Sequence, residues 1–393
     1  MIEEKPHWLL GQWQGIFTDA DREAWSTVVN VDQDRPFTGR ILMLNQKRPE
    51  IWQHATLSNI VMVDRRLRAS VEFSDYPVRF PGDEKEYAET AGTFAAKMSG
   101  DVKFIGVGGV PFALSFEVTL ASTGPARTRG VLKGLHIERR KEDVSAPGDA
   151  VSWREFISWV ESEPSGDDCP WVFRGQRDSS WPLVSTFHRH PAGRRDIIRF
   201  RHEDLPRLQA AVKETTGRLY RLDVKEDYEA LLSIAQHHDY PTPLLDWTES
   251  PHIAAYFALR HREPTETRQW RIYAFNATKF IEARVMSEKA VLEAPHLFLY
   301  ITRASQLDNV RARAQKSVFI LSSVADIEWF ADDYPVPLLL RRFDLPAEDA
   351  PQALSALRRL GITGSSLFPP DSHSSRCAEV CSDLKAKFFT SAQ

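Results

Sequence analysis

Between residues 236 and 250 the chain crowds reactive groups into one short stretch. Gln236, His237, His238, Asp239, Tyr240, Pro241, Thr242, Pro243, Leu244, Leu245, Asp246, Trp247 and Thr248 run directly into Glu249, Ser250 and Pro251. An imidazole can carry a proton near neutral pH, a carboxylate can take one or offset positive charge, and a hydroxyl can hydrogen-bond a ligand. Polar groups are costly to bury unless partnered, so this density beside Leu244, Leu245 and the apolar run Ile253 to Leu259 points to a site. Each group also has an ordinary structural use, and both uses stay open on sequence alone. Asp246, Thr248 or Ser250 would cap a helix beginning near Pro251, and His237 would pack as a satisfied ring. The preceding helix starts near Asp227 and cannot continue past Pro241 and Pro243.

Two further pieces complete the chemistry. Trp171-Val172-Phe173-Arg174-Gly175-Gln176 reads as a strand ending in an arginine and a glycine. A guanidinium donates two parallel hydrogen bonds to phosphate or carboxylate, and glycine admits a close backbone approach. A structural arginine paired with a nearby acid fits the same spacing. Downstream, Gln315 stands at the entrance of a strand predicted over Ser317 to Leu321, where it meets a ligand or fastens a loop. No metal is expected: His237, His238 and Asp246 offer metal-ligand types, but the two histidines are adjacent and point apart in helix or strand.

The elements that must position these groups fall into two parts. Residues 8 to about 140 carry short runs rich in β-branched and aromatic residues, several alternating apolar with polar, the period of a strand with one buried face. We expect an all-β antiparallel barrel or sandwich over residues 1–145, serving recognition or sensing. Gly106-Val107-Gly108-Gly109 precedes a strand rather than a helix, which argues against a phosphate-cradling loop. The charged, turn-rich stretch from Arg139 to Gly148 is the expected linker. Ser152 and Glu155 have capping-box spacing and open an α+β domain over residues 150–390. Its residues 192 to 222 hold many arginines, either a solvated helix face or a basic groove.

Composition narrows the function classes. The chain has 393 residues with 42% hydrophobic content, enough for two cored domains. Its formal charge of -4 argues against coating nucleic acid or an anionic membrane. Three cysteines, Cys169, Cys377 and Cys381, are too few and scattered for a disulfide framework and fit a reducing cytoplasm. The charged N-terminus lacks a signal core, and no apolar run is long enough to span a bilayer, so no membrane partner is expected.

Phe173-Arg174-Gly175, Ala235-Gln236-His237, Pro241-Thr242 and Leu244 to Thr248, followed by Arg311, Gln315 and Phe319 and by Gly361-Ile362-Thr363 with Leu367-Phe368-Pro369, resemble the bacterial FRG domain family. The resemblance spans roughly residues 150 to 375. The family usually has Tyr-Gly in place of His238-Asp239, Arg in place of Pro243 and Gly in place of Ser317. Its order of elements resembles, at a distance, that of ADP-ribosyltransferases, which implies NAD as substrate. Under that resemblance Arg174, with Gly175 and Gln176, would hold the NAD phosphates. Thr248 or Ser250 would support the nicotinamide ribose, and Gln315 stands where a catalytic Glu is expected. His237 and Asp246 would supply the remaining catalytic groups, the carboxylate coming from Asp246 or Glu249. The expected function is an NAD-consuming or ADP-ribosyl-transferring effector of toxin or defence type. The alternative is a non-catalytic module binding a nucleotide-like small molecule.

Overall fold

A computed structural model describes residues 10–18, 22–32, 38–47, 52–63, 66–75, 94–104, 111–121, 130–139, 145–164, 166, 169–189, 196–263, 265–283, 297–303 and 310–369. The glycine cluster 106–109, half of the expected linker (140–144), Cys377 and Cys381 lie outside these residues.

The N-terminal part is antiparallel β, as its alternation predicts. Its strands are β1 (Gly11–Thr18), β2 (Ala24–Asp32), β3 (Thr38–Asn45), β4 (Trp52–Val63), β5 (Arg66–Asp75), β6 (Phe94–Phe104), β7 (Pro111–Ala121) and β8 (Gly130–Arg139). Each pairs with the next, and β1 pairs back with β8, Trp13 opposite Arg139, so the strand order closes on itself. The two-residue period sorts the side chains. Trp13, Val29, Ile41 and Ala55 follow one another across β1 to β4 and are buried together inside this part. The opposite face of β2 and β3 is buried too. Val28, Leu42 and Leu44 belong to the same apolar cluster as the core of the C-terminal part. Polar contacts frame that seam. Gln12 donates to the Ser323 carbonyl at 3.1 Å, Gln14 to Asp326 at 3.2 Å, and Gln46 to Asp333 at 2.8 Å. Arg40 pairs with Asp196 at 2.9 Å and Arg199 with Asp32 at 3.3 Å.

The C-terminal part is α+β, built on a seven-stranded sheet. In chain order its strands are β9 (Asp149–Ala150), β10 (Trp171–Gln176), β11 (Leu244–Thr248), β12 (Trp270–Asn276), β13 (Leu299–Arg303), β14 (Ser317–Ser322) and β15 (Leu340–Leu345). In space they run β13-β14-β11-β10-β12-β15-β9, all antiparallel except the β15–β9 pair. Helices cover both faces. One face packs Phe156, Ala254, Ala258 and Leu357 on Phe173, Trp270 and Phe343. The other packs Leu208, Leu231 and Phe330 on Val172, Leu245 and Phe275.

The capping box at Ser152 and Glu155 forms as its spacing predicts, the Ser152 backbone N–H donating to Glu155 at 2.7 Å. The helix Lys225–His237 ends where the prolines require. One expectation fails: Leu244–Thr248 is not a turn between helices but strand β11, paired over its whole length with β14. Strand partners distant in sequence decide that segment, and they override the helix signals around it.

Candidate active site

The sheet is not continuous at its centre. β10 pairs with β12 over six residues and β11 with β14 over five, but β10 and β11 meet in a single register pair, Phe173 opposite Thr248. Beyond that pair the strands splay, and a cleft of about 410 Å³ opens beside them. Small-molecule sites span about 300–1,000 Å³, so the hollow suits a nucleotide-sized ligand. Arg174, His237, Asp246 and Gln315 all line it, together with Thr248 and Gly175. Three stretches far apart in the chain are thus brought to one hollow.

Arg174 reaches across the splay. Its Nη1 donates to the Asp246 carbonyl at 2.5 Å, occupying a backbone acceptor that β10 would otherwise satisfy. Its Nε is buried with no hydrogen-bond partner among the described residues. Burial lowers the pKa of this guanidinium, and the neighbouring Arg189 adds to the shift while Asp246 opposes it. The arginine therefore keeps a buried donor, Nε, that no described residue engages.

Asp246 sits at the centre of β11 yet its side chain is exposed in the cleft, flanked by the buried Leu245 and Trp247. Gln236 Nε2 donates to both of its carboxylate oxygens at 3.2 Å. Thr242 in turn donates to Gln236 Oε1, which fixes the amide so that its N–H₂ faces the acid. Asp246 is thus a strand residue held by a side chain, not a helix cap. Gln236 is the group that sequence reasoning passed over; its signal was its place ten residues before an acid in the same dense stretch.

Gln315 has two tethers. Its Nε2 donates to the Leu367 carbonyl at 3.0 Å, and its own carbonyl accepts from Thr248 Oγ1 at 2.8 Å. The Thr248 oxygen also accepts from the Ser250 backbone N–H at 3.1 Å. Thr248 lines the cleft with its hydroxyl engaged on both sides. His237 ends its helix at the cleft wall, its ring 4.8 Å from that of His238 in an edge-on arrangement.

Three of the expected cofactor-binding residues do other work. Ser250 caps the helix Pro251–Leu259, accepting from the Ile253 N–H at 3.3 Å, and does not line the cleft. Gln176 is buried away from it and donates to the Pro182 carbonyl at 3.4 Å. Gly175 does admit a close backbone approach, but of that same helix: a Cβ here would stand 1.8 Å from the Ala254 carbonyl oxygen. Asp239 takes a left-handed φ of 56°, the conformation that glycine adopts freely, and so places a carboxylate on the cleft wall.

Arg260 and Arg311 are two cleft residues for which a ligand role had not been foreseen. Arg260 follows the helix Pro251–Leu259 directly, with no pattern to mark it, whereas Arg311 stands within the downstream stretch that resembles the family. Among the described residues no group of three or more His, Cys, Asp and Glu is arranged to hold a metal ion, and no helix is long and apolar enough to cross a membrane. No curated protein and no solved structure matches the chain. A family model does match, over residues 169–267, a segment that includes Arg174, Gly175, Gln236, His237, Asp246 and Thr248 but stops before Arg311 and Gln315. The C-terminal part of this chain carries an FRG domain.

Proposed function

We propose that the cleft binds NAD and cleaves its bond to nicotinamide, making the FRG-bearing part an NAD glycohydrolase or ADP-ribosyltransferase. The chain would act as a cytoplasmic bacterial effector of toxin or defence type, with the β1–β8 part recognising a target or trigger. The observation that carries this reading is the placement of Asp246: an exposed carboxylate in a nucleotide-sized cleft, oriented through both oxygens by Gln236 and accompanied by arginines. In the step, the C1′–N bond of the nicotinamide ribose breaks and its electron pair leaves with the nicotinamide ring, which becomes neutral. Positive charge develops on the ribose, and a fixed carboxylate stabilises charge that appears only in the transition state. Water or an acceptor side chain of a target then forms the new bond to C1′, and its proton passes to Asp246 or His237. The distant resemblance to ADP-ribosyltransferases, drawn from the order of elements in the sequence, points the same way as an analogy of arrangement.

A second reading rests on Gln315. Its amide is uncharged and already tethered to the Leu367 carbonyl, which favours a module that binds a nucleotide-like ligand without turning it over. Calorimetry of the full chain with NAD, followed by a search of the mixture for free nicotinamide, separates the two. Binding with product supports the enzyme, binding without product supports the module, and an absence of binding removes both.

A further inference from the structure

The cleft mouth holds two guanidiniums that share one aromatic ring. Arg260 and Arg311 both line the cleft, and their Cζ atoms lie 5.0 Å and 4.7 Å from the centroid of the Phe368 ring. Arg260 also lies 5.1 Å from the ring of Phe257, which stacks edge-on against Phe368. Among the described residues neither arginine makes an ion pair or a side-chain hydrogen bond. Two other arginines of this part are, by contrast, met by acids: Arg271 by Asp344, and Arg342 by Glu328 and Asp332.

An aromatic face attracts a cation only weakly, about 0.5–1 kcal/mol at exposed positions, and does not neutralise it. Here it holds two like charges close together, one of them partly desolvated. Burial and the charge of Arg260 both lower the pKa of Arg311, and Asp246 and Asp239 only partly compensate. An anion that serves both forks at once must bring enough charge and enough oxygens for two guanidiniums. A carboxylate has one charge and suits one fork; two linked phosphates suit two.

We propose that Arg260 and Arg311 form a diphosphate subsite at the cleft mouth, so that the natural ligand is a diphosphate-bearing nucleotide. This deepens the reading above and rests on the cleft being a ligand site, not on turnover within it. It also assigns the phosphates to a different pair than Arg174, whose Nη1 is already committed to the Asp246 carbonyl.

The test is titration calorimetry of the full chain with inorganic pyrophosphate, with orthophosphate as a second arm. Wild type should bind pyrophosphate at least tenfold more tightly than orthophosphate. Arg260→Gln and Arg311→Gln should each weaken pyrophosphate binding roughly tenfold or more, the loss expected when one charge-assisted donor group is removed. Arg260 is exposed, so its variant keeps the fold and serves as the reference if Arg311→Gln melts early. No pyrophosphate binding by wild type, equal binding of the two anions, or undiminished binding by Arg260→Gln would each overturn the proposal. Pyrophosphate binding that follows these variants, with no nicotinamide released from NAD, would keep this subsite and remove the catalytic reading.

Discussion

Gly175 and Asp246 stand in the same cleft for opposite reasons. Gly175 is needed for what it lacks: the backbone of the helix Pro251–Leu259 occupies the space where a Cβ would be, with the Ala258 nitrogen at 3.0 Å as well as the Ala254 oxygen at 1.8 Å. We expect Gly175→Ala to push the helix off the sheet and to cost roughly 1–3 kcal/mol or more, the price of overpacking against an unyielding backbone. Chemical denaturation measures this directly; a midpoint equal to wild type would contradict the packing account. Asp246, by contrast, is exposed and contributes its charge rather than its volume. His237 and Asp246 were readable from their dense polar stretch, Arg174 from its place at a strand end beside a glycine, and Gln315 from its place at a strand entrance. Ser250 and Gln176 were misassigned because a hydroxyl before a helix and an amide at a strand end serve structure as readily as ligands. No pattern marked Arg260, since one arginine after an apolar helix looks like any surface charge.

The sheet owes its split to what its strands pair with. β10 and β11 each find a full partner on their outer side and touch one another only at Phe173 and Thr248. On the far side of β10, the β12–β15 pair is fastened by a buried ionic cluster. Arg271, 1% exposed, donates to Asp344 through Nε at 2.5 Å and Nη2 at 2.8 Å. Tyr273 lies beside them, its pKa pushed up to about 12 by burial and then by Glu328, while Arg271 opposes the shift. Arg271→Met would leave the Asp344 carboxylate buried with only the Gly148 N–H at 2.9 Å. Breaking such a pair from one side costs about 3–5 kcal/mol, so the melting temperature should fall sharply; a change within error would show that the cluster carries no net stability. β10 and β14 were visible as β-branched and aromatic runs. β11 was not, because Pro241 and Pro243 just before it and the polar residues within it mimic a loop, and only its pairing with β14 makes it a strand. β13 and β15 were missed for the same reason: partners far along the chain set them, and local preference does not.

The two parts of the molecule share core as well as contacts. Val28, Leu42 and Leu44 pack in one cluster with the FRG-bearing part, and the Arg40–Asp196 and Arg199–Asp32 pairs cross the same seam. The change from antiparallel β to α+β falls between β8 and β9, yet the two sides share this burial. His54 lies by the seam, and its pKa is lowered to about 4 by burial, then by Arg40, against the opposing pull of Asp196. The unfolded imidazole takes its proton near pH 6.5 and the folded one only near pH 4. Between these values the unfolded chain binds more protons, so stability is full above pH 6.5 and falls as the pH drops toward 4. His54→Gln should flatten that part of the stability profile; an unchanged slope in denaturant midpoints between pH 6.5 and 4 would exclude His54 as a source of the acid sensitivity.

The account rests on a carboxylate that acts on NAD in the cleft between β10 and β11. The most direct measurement is release of nicotinamide from NAD by the full chain and by Asp246→Asn, an exposed substitution that keeps the side chain's size and one of its two contacts with Gln236. Wild type should release nicotinamide, and the variant should retain wild-type melting while losing on the order of 10²–10³ in rate, the usual loss when one electrostatic stabiliser is removed. Equal rates in the two proteins would contradict the account.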